Sequence, residues 1–130
     1  MTPNAPCVLD ASVILAAILG ELSSDQAERW MTGSCASTVN VSEVFAKLID
    51  KGFPAEAITE SIEAMKLDAR PFDPDLARQT GLLRGPTRHA GLSLGDRACL
   101  ALAGQLGLPA ATADRAWANV DIGVEVVFIR

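Results

Sequence analysis

The feature that most constrains this chain is a unit that recurs along it. A few apolar residues without polar alternation are followed directly by a helical pattern. "CVL" (7–9) runs into "DASVILAAIL", and "PAATA" (109–113) runs into "DRAWANV". A strand with one face in water alternates polar and apolar residues, whereas a strand that does not alternate is covered on both faces. Helical crossovers between parallel strands supply that cover, because each one lays a helix on the sheet. The spacing therefore predicts an α/β fold of βαβ units around a short, mostly parallel sheet.

The elements between follow the same grammar. An apolar helix over 12–19 succeeds the first strand, and "SSDQAERWM" (23–31) forms a short helix capped by Ser23 or Ser24. "ASTV" (36–39) is a link or a short strand. The clearest helix, "NVSEVFAKLIDKG" (40–52), spaces Val41, Val44, Phe45, Leu48 and Ile49 as one apolar stripe, and Gly52 ends it. A helix over 54–65 opens at Pro54, a short strand falls within 67–72, and a helix covers 75–85. "SLGDRACLALAGQLG" (93–107) is apolar almost all round, which predicts a buried helix. "VEVVFIR" (124–130) is the last strand. No repeat, low-complexity segment or linker interrupts the chain, so residues 1–130 read as a single domain.

Composition narrows the function classes. Apolar residues make up 49% of the chain and tyrosine is absent, so the core is aliphatic and disorder is excluded. A net charge of −5 argues against the broad basic face of many nucleic-acid-binding domains. It suits metal cations or a basic partner protein, and it leaves a local groove open. Cys7, Cys35 and Cys99 are widely spaced, lack any C-x-x-C pairing and sit among apolar residues. They read as small buried hydrophobes in a reducing cytosol, not as zinc ligands or disulfides. His89, the only histidine, lies in the turn-rich "GPTRHAG" and reads as a surface residue, so no serine or cysteine triad can be assembled. Asp10 interrupts any leader core, the residues before it carry no Lys or Arg, and "ASVILAAILG" is too short to span a bilayer. A cytoplasmic location without membrane contact is the expectation.

Four acids stand in telling places. Asp10 and Asp114 each follow a short apolar strand, and ligands of open parallel sheets bind at the carboxyl ends of strands. Glu43 follows Asn40 by three and Asp96 follows Ser93 by three, which puts both in expected first turns of helices. Each acid also has a structural explanation. N-x-x-E and S-x-x-D resemble capping boxes, an acid in a first turn gains about 0.3–1 kcal/mol from the helix dipole, and Asp10 and Asp114 suit turns or caps. On a helical wheel Glu43 lies nearly opposite the apolar stripe, facing solvent or a cleft. Asp96 opens an almost wholly apolar helix, where a carboxylate calls for a partner; Arg97 or a metal ion would serve. Four converging carboxylates would repel one another and raise their own pKa values. A divalent cation removes that penalty, and oxygen-only donors suit Mg²⁺ or Mn²⁺. Such ions generate a hydroxide-like nucleophile and stabilise charge on a phosphodiester.

The segments "VLDAS", "TVNVSEVFAKL", "GLSLGDRACLALA", "TADRAWANV" and "IGVEVVFIR", in this order, resemble a PIN domain. The resemblance spans essentially the whole chain and is specifically to the toxin ribonuclease of bacterial VapBC toxin–antitoxin pairs. It implies a three-layer α/β/α sandwich that hydrolyses RNA phosphodiester bonds with Mg²⁺ or Mn²⁺. It further implies Asp10, Glu43, Asp96 and Asp114 as catalytic, metal-binding acids, with Asp10 and Asp96 the firmest ligands and Ser12 and Thr112 in support. A toxin homodimer, and a cognate antitoxin whose C-terminal segment fills the acidic groove, follow from the same likeness. RNA backbone contact needs local cations; Arg84, Arg88, Arg97 and Arg115 are candidates. Arg97 and Arg115, each next to a site acid, are also placed to touch an antitoxin.

Two rival readings share some of these features. A phosphotransfer or phosphatase domain would use Asp10 as nucleophile, but haloacid-dehalogenase-like phosphatases want a second Asp where Ser12 stands. Response-regulator receivers want a late lysine, and the last one here is Lys66. A catalytically inactive PIN-like binding module is the other alternative, against which the four intact acids count.

Overall fold

A computed structural model describes residues 5–130. Residues 1–4, the start of the expected domain and of the stretch before Asp10 that lacks Lys and Arg, lie outside the described residues. The chain runs β1 (Val8–Leu9), α1 (Ala11–Ile18), α2 (Ser24–Met31), β2 (Cys35–Ser37), α3 (Thr38–Asp50), α4 (Ala55–Ala64), β3 (Asp68–Arg70), α5 (Pro74–Leu82), α6 (Arg84–Thr87), α7 (Leu94–Leu106), β4 (Ala110–Thr112) and β5 (Val126–Phe128), with 3-10 turns at Arg88–Ala90 and Arg115–Asn119.

The five strands order as β3-β2-β1-β4-β5 and every pairing is parallel. Because side chains alternate across a strand, the sheet divides the interior into two cores. Val8, Cys35 and Ala110 face one core with Leu76, Leu92 and the α7 residues Cys99–Ala103. Leu9, Ala36 and Ala111 face the other with Val13, Ile14, Val44, Leu48 and Ile58. The architecture is thus an α/β/α sandwich. The cover fails only toward the edges: β3 is exposed throughout and β5 is half-buried. Asp68 and Arg70 pair at 3.0 Å on β3, and charges on an edge strand discourage further strand addition.

Helix starts depart from the sequence reading where cap geometry decides. Asp10 caps α1 itself, so that helix begins at Ala11. Ser37 caps α3, so residues 38 and 39 are already helical and Asn40 is not a cap. Glu43 therefore lies in the second turn, not the first. The stripe of α3 also turns: Asn40, Val44 and Leu48 are buried while Ile49 is exposed. Pro74 opens α5 under an Asp73 cap, one residue before the expected start. The stretch after β4 closes as a 3-10 turn, and "GPTRHAG" is mostly helical, formed by α6 and the Arg88–Ala90 turn. The predicted buried helix is the strongest feature of the fold. Seven of the 13 residues of α7 are buried, Ser93 caps it through a full capping box with Asp96, and Gly107 ends it at φ 67°. The three cysteines are buried, and His89 is exposed, its Nε2 lying 2.9 Å from the Asn119 carbonyl. No helix among the described residues is long and apolar enough to cross a membrane.

Candidate active site

The strand order reverses direction between β1, which leads toward β2, and β4, to which the chain returns from β3. Such a switch point opens a crevice at the carboxyl ends of the strands. Asp10 directly follows β1, and Asp114 lies two residues beyond β4. Glu43 from α3 and Asp96 from α7 enter the same open cleft of about 400 Å³, and Lys47 and Arg130 line it too. The wheel's ambiguity for Glu43 resolves toward the cleft. A larger groove of about 520 Å³ is lined by Asp25, Glu28, Arg29 and Thr32, from α2 and its C-terminal end, with no acid converging from another element.

The four carboxylates share a pattern: one oxygen is tied down and the other has no protein partner among the described residues. Asp10 is 5% exposed and its Oδ2 accepts from the Ser12 hydroxyl at 2.7 Å and the Thr112 hydroxyl at 3.1 Å. Those hydroxyls in turn accept from the Ala113 N–H (2.9 Å, to Ser12) and the Asp114 N–H (3.0 Å, to Thr112). The chain from β1 and the chain leaving β4 are thereby stitched through one carboxylate oxygen. Asp96 Oδ2 accepts from the Ser93 N–H at 2.9 Å, completing the capping box. Asp114 Oδ1 accepts from the Ala116 N–H at 2.9 Å and caps the 3-10 turn. Glu43 Oε1 accepts from Asn40 Nδ2 at 3.0 Å. The capping explanation thus holds for Asp10, Asp96 and Asp114, and each still keeps a spare oxygen. It fails for Glu43.

The acids also feel one another. Burial pushes the Asp10 carboxyl above its ordinary value; the Ser12 and Thr112 hydrogen bonds oppose this and the Asp96 charge adds to it. Burial raises Glu43 as well, helped by Asp10 and Asp96 and opposed by the Asn40 hydrogen bond and the Lys47 charge. Asp10, Glu43 and Asp96 form the electrostatic heart, and Asp114 is the exposed fourth wall.

The donor set fits a hard divalent ion. All free donors are carboxylate oxygens, and their mutual repulsion is what a cation would relieve. Among the described residues no three His, Cys, Asp or Glu side chains form a ready-made ion cage. Mg²⁺ does not demand one, since it keeps several waters and commonly binds through one or two carboxylates and substrate phosphates.

Neither arginine next to a site acid lines the cleft. Successive helical residues point about 100° apart, so Arg97 leaves the Asp96 side and packs on α5, donating to the Thr80 carbonyl at 3.0 Å. It does not pair with Asp96. Arg115 lies over the Phe128 ring, 4.6 Å from its centroid, a cation–π contact. The cations at the cleft are Lys47, signalled by its i+4 spacing from Glu43, and Arg130, which also bridges to Glu21 at 2.8 Å and had no sequence signal. Sequence reasoning also missed Asn40 and Gly95. Asn40 Nδ2 donates both to Glu43 and, at 3.0 Å, to the Gly95 carbonyl on α7. Their signals were a polar residue in register with Val44 and Leu48, and a glycine inside a first turn.

A parallel sheet with helices on both faces and an acid-lined cleft at its switch point defines an α/β protein with a metal-suited site. The chain belongs to the PIN domain family, whose model matches residues 7–123. PIN domains are generally nucleases. The fold is similar to a DNA-bound VapBC structure from Salmonella typhimurium (TM-score 0.78, 18% identity, 97% of this chain and 99% of that one). It is also similar to a toxin–antitoxin complex from Klebsiella pneumoniae (0.73, 20%, 95% and 98%) and to a VapBC toxin–antitoxin structure from Mycobacterium tuberculosis (0.61, 24%, 97% and 98%). Comparison with curated protein sequences gave no match.

Proposed function

We propose that this chain is a Mg²⁺- or Mn²⁺-dependent endoribonuclease, the toxin of a type II toxin–antitoxin pair of the VapBC kind. The observation that carries the reading is the common pattern of Asp10, Glu43, Asp96 and Asp114, four acids on one cleft, each with a tethered and a free oxygen. Tethering fixes each carboxylate without using up its capacity to accept. Asp10 and Asp96 would hold the ion, with Glu43 and Asp114 completing the acidic wall. When bound, the ion supplies an activated water and stabilises charge on the phosphodiester. Ser12 and Thr112 orient Asp10 through their hydroxyls. Lys47 and Arg130 meet substrate phosphates at the rim, the local cations that an acidic chain needs for RNA. The antitoxin would present a basic segment to the same cleft, where charge complementarity favours it. The likeness to toxin–antitoxin structures supports that partner, and we extend it to a toxin homodimer acting in the cytoplasm.

The test is RNA cleavage with Mg²⁺, with EDTA, and by Asp96→Asn. Cleavage only by the unmodified chain with Mg²⁺ supports the reading, and equal cleavage in all three sinks it. The capping roles of Asp10, Asp96 and Asp114 favour a second reading, the inactive binding module. That reading expects RNA or antitoxin binding with no cleavage at any Mn²⁺ concentration.

A further inference from the structure

We propose that Asn40 and Gly95 are positioning residues that hold the Glu43 carboxylate in place for a divalent ion, clamping α3 to α7 as they do so. The inference rests on the metal-site reading above and concerns two residues outside the acid set. Two observations carry it independently. First, Asn40 is completely buried, and its Nδ2 bridges two acceptors on different helices, Glu43 Oε1 and the Gly95 carbonyl, both at 3.0 Å. Two oxygen acceptors fix the amide's orientation, since a flipped amide would turn its own oxygen against them. That orientation leaves Asn40 Oδ1 buried without a partner. A buried orphan carbonyl is unfavourable, and an apolar residue would continue the Val44–Leu48 stripe. The amide is thus placed to serve the carboxylate at the expense of the core.

Second, the Glu43 carboxylate lies where a side chain at residue 95 would begin. A Cβ built there collides with Oε1, Cδ and Oε2 of Glu43. Gly95 has no positive φ among the backbone angles, so no left-handed conformation explains the glycine. Gly inside a helix is disfavoured relative to Ala by about 1 kcal/mol. Space for the Glu43 carboxylate is what the glycine provides. Clamped by Asn40 above Gly95, Oε1 is occupied and Oε2 is left for the cleft. Residues that orient a metal ligand commonly change affinity by about 10–100-fold when removed.

The test is a cycle of variants read by Mn²⁺ binding, with free Mn²⁺ counted by electron paramagnetic resonance. Asn40→Ala and Gly95→Ala are each made alone and in a Glu43→Ala background. Thermal melts select folded variants, and Asn40→Ser serves if Asn40→Ala does not fold. We expect either single change to weaken Mn²⁺ binding by about 10-fold. Neither should weaken it further once Glu43 is alanine, because nothing remains to be positioned. Binding equal to that of the unmodified chain overturns the proposal. So does an equal loss with and without the Glu43 side chain, which marks a merely structural role. Failure of the unmodified chain to bind Mn²⁺ overturns the metal reading itself, a result distinct from either.

Discussion

Asp10 concentrates the tension of the site in one side chain. Three hydrogen bonds fall on its Oδ2, while burial and the Asp96 charge press against its ionisation. Asn in its place keeps an acceptor for the two hydroxyls and replaces the repelled oxygen with an amide. Asp10→Asn should therefore abolish RNA cleavage, by about 100-fold or more, yet stabilise the metal-free fold by about 0.5–2 kcal/mol. Paired cleavage and thermal-melt measurements check both halves. The pH dependence has a definite sign. Asp10 and Glu43 titrate higher when folded than when unfolded, so between the two values the folded chain holds more protons. Their contribution to stability falls as pH rises through that window and is restored below it. In EDTA, the Tm advantage of Asp10→Asn should thus be largest at neutral pH and shrink toward the ordinary carboxylate range. An advantage that grows on acidification would contradict the burial argument. At this scale the sequence showed the acids but not their company. Asp10 and Asp114 were legible because they end apolar runs. Asn40 and Gly95 were not, because their meaning lies in contact between residues 55 positions apart.

The helices succeed or fail as sequence predictions by how local their causes are. The α7 boundaries were legible because Ser93, Asp96 and Gly107 are all nearby in sequence. The start of α3 was not, since Asn40 and Glu43 mimic a capping box while Ser37, at the end of β2, caps the helix. The exposed Ile49 and buried Asn40 show the packing partner, and not the hydrophobic stripe alone, choosing the buried face. Ser93→Ala removes the cap of α7 and should cost about 0.5–2 kcal/mol, measured by urea unfolding. It also weakens the box that ties Asp96, so cleavage should fall with it. Leu100→Ala, in the fully buried stretch of α7, should cost about 2–5 kcal/mol without touching any acid. Its cleavage at low temperature, where it stays folded, should match the unmodified chain.

For the molecule as a whole, the parallel sheet and its two covered faces were legible because apolar runs without alternation admit few other solutions. The edge strands also fall where they were expected, β3 within 67–72 and β5 within 124–130, although β3 is exposed and no rule of periodicity marks it. Gathering Asp10, Glu43 and Asp96 in one cleft stores repulsion that a cation would release, so ion binding should stabilise the entire fold. At a free Mg²⁺ concentration about 100-fold above its dissociation constant, the gain is about 2.7 kcal/mol, seen as a rise in Tm that Asp10→Asn reduces. The burial of α7 carries one more consequence. Its amides from Ala98 to Ala103 lie in the most protected part of the fold, and should exchange with solvent only when the whole domain opens. Asp96 hangs from the first turn of that same helix. Its carboxylate should therefore keep its place in the cleft through every local opening that leaves α7 folded.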